Sequence, residues 1–183
     1  LEEAVEIANF FLPRGKVIVT TKGKTKQASN TYKTLREPLD LDIPITVLVN
    51  GATASASEIL SGAFQDFDRA VIVGSRTFGK GLVQTTRPLP YGGVMKLTTS
   101  KYYIPSGRCV QAIDYKHRNE DGSVGTIPDS LTTVFHTAAG REVRDGGGVM
   151  PDIEVKQEKL PNILFYLVRD NLIFDYATQY CLK

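Results

Sequence analysis

The segment that most constrains the fold is Ile45-Thr46-Val47-Leu48-Val49, a run of β-forming residues that ends at Asn50-Gly51. A run without polar alternation reads as a buried strand. From Ser55 to Phe67 the residues Ala56, Ile59, Leu60, Ala63, Phe64 and Phe67 follow helical i, i+3, i+4 spacing. A second buried strand, Ala70-Val71-Ile72-Val73, comes directly afterwards. Strand, helix and strand in such close order predict an α/β layer fold.

The flanks extend this pattern. Leu1, Ala4, Val5, Ile7, Ala8 and Phe11 predict an opening helix with Glu2 and Glu3 in its first turn, stopped by Pro13 and Gly15. A helix that begins at the first residue, with no cap, initiator Met or signal peptide, is expected of a piece of a longer chain, so missing targeting signals carry no information. Lys16 to Thr21 reads as a strand and Val94 to Tyr103 as a longer alternating one. Asp114 to Asp129 is rich in Asp, Asn and Gly and reads as a surface excursion, while Gly146-Gly147-Gly148 punctuates the chain before Pro151. A last helix is expected from Asn162 to about Tyr180.

Composition removes several classes. With 183 residues and 42% hydrophobic content the chain can bury a core without metal or disulfide staples. A net charge of +2 gives no argument for nucleic acid as partner. No apolar run approaches the roughly 18 residues of a membrane span. Cys109 and Cys181 are too few for a zinc site and too far apart for a redox pair. The stretch Pro13 to Arg36 carries seven basic residues and only neutral ones between them; it reads as a solvated hairpin whose lysines guard an edge strand.

Two segments can carry chemistry. In Asn50-Gly51-Ala52-Thr53-Ala54-Ser55-Ala56-Ser57-Glu58, small residues separate a strand from a helix. A serine there has free backbone N–H groups and the positive end of a helix dipole beside it, which favour an oxyanion. Ser55-x-x-Glu58 is equally a capping box, which needs no function. The second segment is Gly74-Ser75-Arg76-Thr77-Phe78-Gly79-Lys80-Gly81-Leu82-Val83-Gln84. Its glycines permit backbone shapes that aim Lys80 inward, where desolvation would make it a base; an exposed Gly-Lys-Gly turn is the alternative. Gly74-x-x-x-x-Gly79-Lys80 falls short of a phosphate-binding loop, because Gly81 stands where a magnesium-binding Ser or Thr belongs and Pro88 breaks any following helix.

Read together, the two segments resemble the carboxyl-terminal processing proteases, or tail-specific proteases, a family of Ser-Lys serine peptidases. There the lysine follows the nucleophile by 25 residues and a glutamine comes four later, the spacing of Ser55, Lys80 and Gln84 here. That spacing selects Ser55 over Ser57. Lys101-Tyr102-Tyr103-Ile104-Pro105-Ser106-Gly107-Arg108, Gly146-Gly147-Gly148-Val149-Met150-Pro151-Asp152-Ile153 and the opening helix are also similar to the family, extending the likeness to about residue 155.

The resemblance implies a Clp protease/crotonase-like α/β catalytic core, with Ser55 as nucleophile, Lys80 as general base, Gln84 orienting Lys80 and the Ala56 N–H as one oxyanion donor. For Gln84 to reach Lys80, a turn is expected over residues 80–84, since four residues span about 13 Å in a strand and about 5–6 Å across a helical turn. Glu58 is assigned to capping, because a carboxylate at Lys80 would oppose its role as base. The resemblance also implies protein substrates with unfolded or apolar C-termini, an extracytoplasmic, periplasmic or membrane-associated setting, a PDZ domain further upstream, a possible homo-oligomer, and neither cofactor nor metal. The whole chain is then expected to be part of a catalytic domain.

Departures accompany the matches. The family's Asp-Leu-Arg-x-Asn-x-Gly-Gly loop, which completes the oxyanion hole, is not in this sequence, so the chain by itself is expected to cut poorly or not at all. Thr53 stands where many relatives have Ser, and the region from Cys109 to Asp145 is longer than in the simplest ones and reads as a surface insertion. A non-catalytic relative acting as a peptide-binding module is the rival reading. His117 and His136 are assigned no catalytic part, and Cys109 reads as a small buried residue.

Overall fold

The computed structural model describes residues 1–156 and 161–182. Helix α1 (Glu2–Phe11) leads into the hairpin of β1 (Val17–Gly23) and β2 (Asn30–Lys33); β3 (Thr46–Val49), α2 (Ala56–Asp66) and β4 (Val71–Gly74) follow. Next come β5 (Leu82–Pro88), β6 (Val94–Tyr103), the hairpin of β7 (Ile113–Arg118) and β8 (Val124–Thr126), and a second hairpin of β9 (Val134–His136) and β10 (Glu142–Arg144). Strand β11 (Ile153–Glu154) and helices α3 (Asn162–Arg169) and α4 (Leu172–Cys181) close the chain.

Two sheets form the body. One is antiparallel, in the order β2-β1-β6-β5. The other is parallel, in the order β11-β4-β3, and its central strand pairs Val47 with Ile72 and Ile153 with Val73. Helix α2 lies between α1, β1 and β4. Ala8, Ile18, Ile59, Ala63, Ile72, Val110 and Val149 lose all solvent contact in the core. Gly62 keeps α2 close to its neighbours, since a Cβ there would stand 2.6 Å from Cδ1 of Ile104.

Two polar pegs, the first of them buried, fix α2. Asp66 and Arg108 form an ion pair at 2.8 Å with Arg108 only 1% exposed, and Asp66 also accepts the Ser106 N–H at 2.9 Å. Asp152 accepts from Gln65 and from the Ile72 N–H, both at 2.8 Å, tying the Pro-Asp segment to α2 and β4 at once.

Several expectations are corrected. β3 is not buried on both faces: Leu48 is 79% exposed and Val71 of β4 is 44% exposed, because no layer covers their side of the parallel sheet among the described residues. The excursion from Asp114 to Asp129 does lie at the surface, as expected, and within it the chain forms a hairpin turning at Asp121-Gly122, with Gly122 at φ 80°. The last helix is two, because Asn171 adopts φ 57° between them.

Candidate active site

The corner between β3 and α2 is built by short polar links. Asn50 Oδ1 accepts the Ala52 N–H at 2.9 Å, Asn50 O accepts the Thr53 N–H at 2.9 Å, and the Thr53 hydroxyl oxygen takes the Asn50 N–H at 3.0 Å. Ser55 then caps α2 with φ 60° and ψ −117°. A non-glycine residue held there costs of order 1–3 kcal/mol, and such strain gathers at functional sites. Ala56, the first residue of α2, has an N–H without an intrahelical acceptor.

The lysine loop leaves β4 alongside this corner. Ser75 donates its N–H to Val49 O at 3.1 Å and Phe78 donates to Thr53 O at 2.9 Å. Gly79, at φ +84°, lies so close to the following chain that a Cβ would stand 2.3 Å from that of Ala112; at Gly81 it would stand 2.7 Å from the Gln111 nitrogen. The glycines therefore serve conformation and close packing together. Lys80 is half-buried rather than buried, its side chain emerging into a cavity of about 250 Å³ that Ser55, Gln84 and Tyr102 also line.

Glu58 joins the two loops. Its carboxylate has no solvent exposure and accepts from the Ser55 N–H at 2.9 Å, the Thr77 hydroxyl at 2.5 Å, the Gly79 N–H at 2.7 Å and the Lys80 N–H at 2.8 Å. The capping expected of Glu58 is present through the Ser55 N–H, and three further donors meet the same carboxylate. Because the Gly79 and Lys80 N–H groups are already given to a carboxylate, they are not free for a phosphate. Thr77 in turn accepts the Val149 N–H at 2.7 Å, which brings in the glycine-rich segment. Gly148 has to be glycine, as a Cβ there would lie 2.7 Å from Thr77 O.

Tyr102 makes the second bridge. Its hydroxyl, almost wholly buried, meets the carbonyls of Ser55, at 3.2 Å, and of Lys80. Burial, with help from Glu58 and Cys109, pushes the phenol far above its ordinary range, so it stays a donor. Thr77 and Tyr102 are the residues that sequence reasoning missed; Tyr102 stood in the Lys-Tyr-Tyr stretch, without a role.

The turn expected over residues 80–84 is absent. Gln84 lies on β5, exposed and paired with Thr98, with a register shift between Val83 and Gln84 that marks a bulge. It reaches the cavity from an extended strand. Among the described residues no hydrogen bond links the side chains of Ser55, Lys80 and Gln84; such contacts often tighten only with substrate bound. Ser57 is exposed and outside the cavity lining, His117 sits on β7 against Asp114 at 2.6 Å, and His136 is on β9. Cys109 is half-buried, and burial pushes its thiol up, which leaves it protonated at neutral pH.

Among the described residues no group of three His, Cys, Asp or Glu converges as a metal site, and no helix is long and apolar enough to cross a membrane.

Known proteins resemble this chain in sequence and in fold. A family model described as Peptidase family S41 matches residues 1–130. A carboxy-terminal-processing protease of Bartonella bacilliformis is 44% identical over 113 residues, 62% of this chain and 26% of the relative. A probable CtpA-like serine protease of Staphylococcus aureus is 45% identical over 112 residues, 60% of this chain and 22% of the relative. The chain thus spans about a quarter of the length of these relatives. Among solved structures, the photosystem II D1 C-terminal processing protease superposes with a TM-score of 0.60 at 29% identity, covering 87% of this chain and 32% of that one. A putative S41 protease from Bacteroides fragilis shares the fold, with a TM-score of 0.56 at 14% identity, covering 85% of this chain and 34% of that one.

Proposed function

Because the chain belongs to peptidase family S41, we propose that it is part of the catalytic domain of a serine endopeptidase of the C-terminal processing type, acting through Ser55 and Lys80. The observation that carries this reading is the corner at Ser55, held at φ 60° and lining one cavity with Lys80 and Gln84. Ser55 Oγ attacks the substrate carbonyl while Lys80, as a neutral amine, takes its proton. The Ala56 N–H donates to the developing oxyanion. Gln84 steadies the lysine from β5. Lys80 then returns the proton to the leaving amine, and water releases the acyl group from Ser55.

Glu58 ties the two segments of the proposed dyad together, its carboxylate accepting the Ser55, Gly79 and Lys80 backbone N–H groups and the Thr77 hydroxyl. Substrates are proposed to be protein chains with unfolded or apolar C-termini. One oxyanion donor comes from α2, and loss of the other accounts for about 10² to 10³ in turnover, so the 183-residue chain is expected to cut slowly on its own.

The test is degradation of a labelled unfolded polypeptide, by this chain and by a longer one that supplies the upstream loop. Ser55→Ala and Lys80→Ala should each abolish turnover of the longer chain, while Ser57→Ala retains it. Turnover that survives Ser55→Ala, or a longer chain that leaves the polypeptide uncut over a wide pH range, would overturn the reading.

A further inference from the structure

Each residue of Gly79-Lys80-Gly81 has one N–H and one C=O to satisfy, and all of these groups are met by partners far along the chain. Glu58 accepts the Gly79 and Lys80 N–H groups at 2.7 Å and 2.8 Å. Gly79 O accepts the Ala112 N–H at 2.9 Å, Gly81 O accepts the Tyr102 N–H at 3.0 Å, and Lys80 O accepts the Tyr102 hydroxyl. The remaining group, the Gly81 N–H, donates to Oε1 of Gln111 at 2.8 Å.

Gln111 is itself held at both ends. Its side chain is 7% exposed, and Nε2 donates to Ile113 O at 3.1 Å, so the two contacts admit one orientation of the amide. The backbone around it is fixed as well. Cys109 O accepts the Gly146 N–H at 3.0 Å, Val110 O the Gly148 N–H at 2.9 Å and Ala112 O the Ile127 N–H at 2.7 Å. The fit against the lysine loop leaves no slack, since a Cβ on Gly81 would stand 2.7 Å from the Gln111 nitrogen and 2.9 Å from its Cβ.

These contacts matter because little else aims Lys80. Glycine on each side of it leaves the local chain free to take several paths. Among the described residues no hydrogen bond or ion pair holds the Lys80 side chain itself. Its place in the cavity with Ser55 therefore depends on the course of the backbone through residues 79–81. Glu58 sets that course on the side of Gly79, and Gln111 sets it at Gly81, where the chain turns into β5.

We propose that Gln111 is a positioning residue for Lys80: by accepting the Gly81 N–H it fixes the path of the lysine loop, and with it the point from which Nζ takes the proton of Ser55. The inference rests on the peptidase reading and deepens it. It gives the strip that leads into the β7–β8 hairpin a part in the chemical step without any contact with substrate.

The test pairs kinetics with a spectroscopic readout of Lys80, both on the longer chain that supplies the upstream loop. Gln111→Met keeps an unbranched side chain of similar length and removes the acceptor. It is expected to lower kcat at least about tenfold with KM unchanged, because a displaced base slows the chemical step and leaves binding alone. In chains carrying isotopically labelled lysine, the ε-methylene resonance of Lys80, identified by its loss in Lys80→Ala, should move in Gln111→Met. Asn119→Ala, at the tip of the same hairpin, should leave both that resonance and kcat at their wild-type values. A purely structural role would weaken the folded signal without moving it. If Gln111→Met does not fold, Gly81→Ala drives the same two backbones apart and should show the same shift and the same fall in kcat. An unmoved Lys80 resonance, an unchanged kcat, or a loss of activity that lies wholly in KM would overturn the assignment. A resonance that moves in a chain that cuts nothing overturns the peptidase reading and leaves Gln111 holding the lysine; cleavage that Gln111→Met leaves unchanged does the reverse.

Discussion

The backbone N–H of Lys80 donates to Oε2 of Glu58 at 2.8 Å, the same oxygen that accepts the N–H of Ser55 at 2.9 Å. One atom thereby fixes both segments that carry the proposed chemistry. Glu58→Ala removes the acceptor of four donors. Each buried donor left unmet costs about 1–3 kcal/mol, so a loss of at least about 3 kcal/mol in a denaturant titration is expected, together with loss of peptidase activity. Glu58→Gln keeps the shape but turns an NH₂ toward at least one N–H. It should remain folded and lose at least about tenfold in turnover.

Tyr102→Phe deletes only a hydroxyl. Because that hydroxyl meets the carbonyls of Ser55 and Lys80, its loss should cost about 0.5–1.5 kcal/mol of stability and lower kcat more than it changes KM. Steady-state kinetics on a peptide substrate measure the split. An unchanged kcat would show that the bridge is structural only.

The Asp66–Arg108 pair gives a purely structural prediction. Arg108→Met leaves a buried carboxylate without its cation and should destabilise by about 3–5 kcal/mol; Asp66→Leu in the same chain should restore part of that loss. Urea midpoints of the single and double variants check this.

The pH dependence follows from Asp68. Burial alone would raise its carboxyl, but the Ala139 N–H at 2.6 Å and the Arg141 guanidinium at 2.6 Å outweigh it and hold the group below its ordinary value of 3.8. Its folded pKa is therefore lower than its unfolded one. The stability it contributes is full above pH 3.8 and disappears as pH falls through the lower folded value. Asp68→Asn should lower the urea midpoint at pH 7, and the gap from wild type should narrow as pH falls below 3.8. Asp66, raised by burial against the pull of Arg108, trends the opposite way but is present in both chains and cancels.

Much of this site was legible in the sequence because its requirements are local. A strand that meets small residues and then a helix places Ser55 at the corner, and glycines on both sides of Lys80 announce a backbone that ordinary residues do not fit. What was not legible depends on distant partners. Gln84 was expected in a turn because a lysine contact was assumed, although Val83, Thr85 and Thr86 are β-branched; pairing with β6 decided the matter. Leu48 reads as core in any strand of its kind, and only the open face of the sheet makes it exposed. The polar residues of β7 resemble loop residues because both faces of that hairpin carry polar side chains. Asn171 breaks the final helix through a left-handed turn that apolar spacing does not reveal. Thr77 and Tyr102 act through contacts 19 and 47 positions away, with Glu58 and Ser55, which no local pattern encodes.

The hydrogen bond from the Val149 N–H to Thr77 has a consequence for synthesis. Thr77 hands that link on to Glu58, and Glu58 to the backbones of Ser55 and Lys80, so the nucleophile's corner is braced by a residue made long after it. A nascent chain that has not yet extruded Val149 carries Ser55 and Lys80 without the last brace of their frame. The frame around Ser55 and Lys80 is therefore complete only once the glycine-rich segment, 72 positions after Thr77, has emerged.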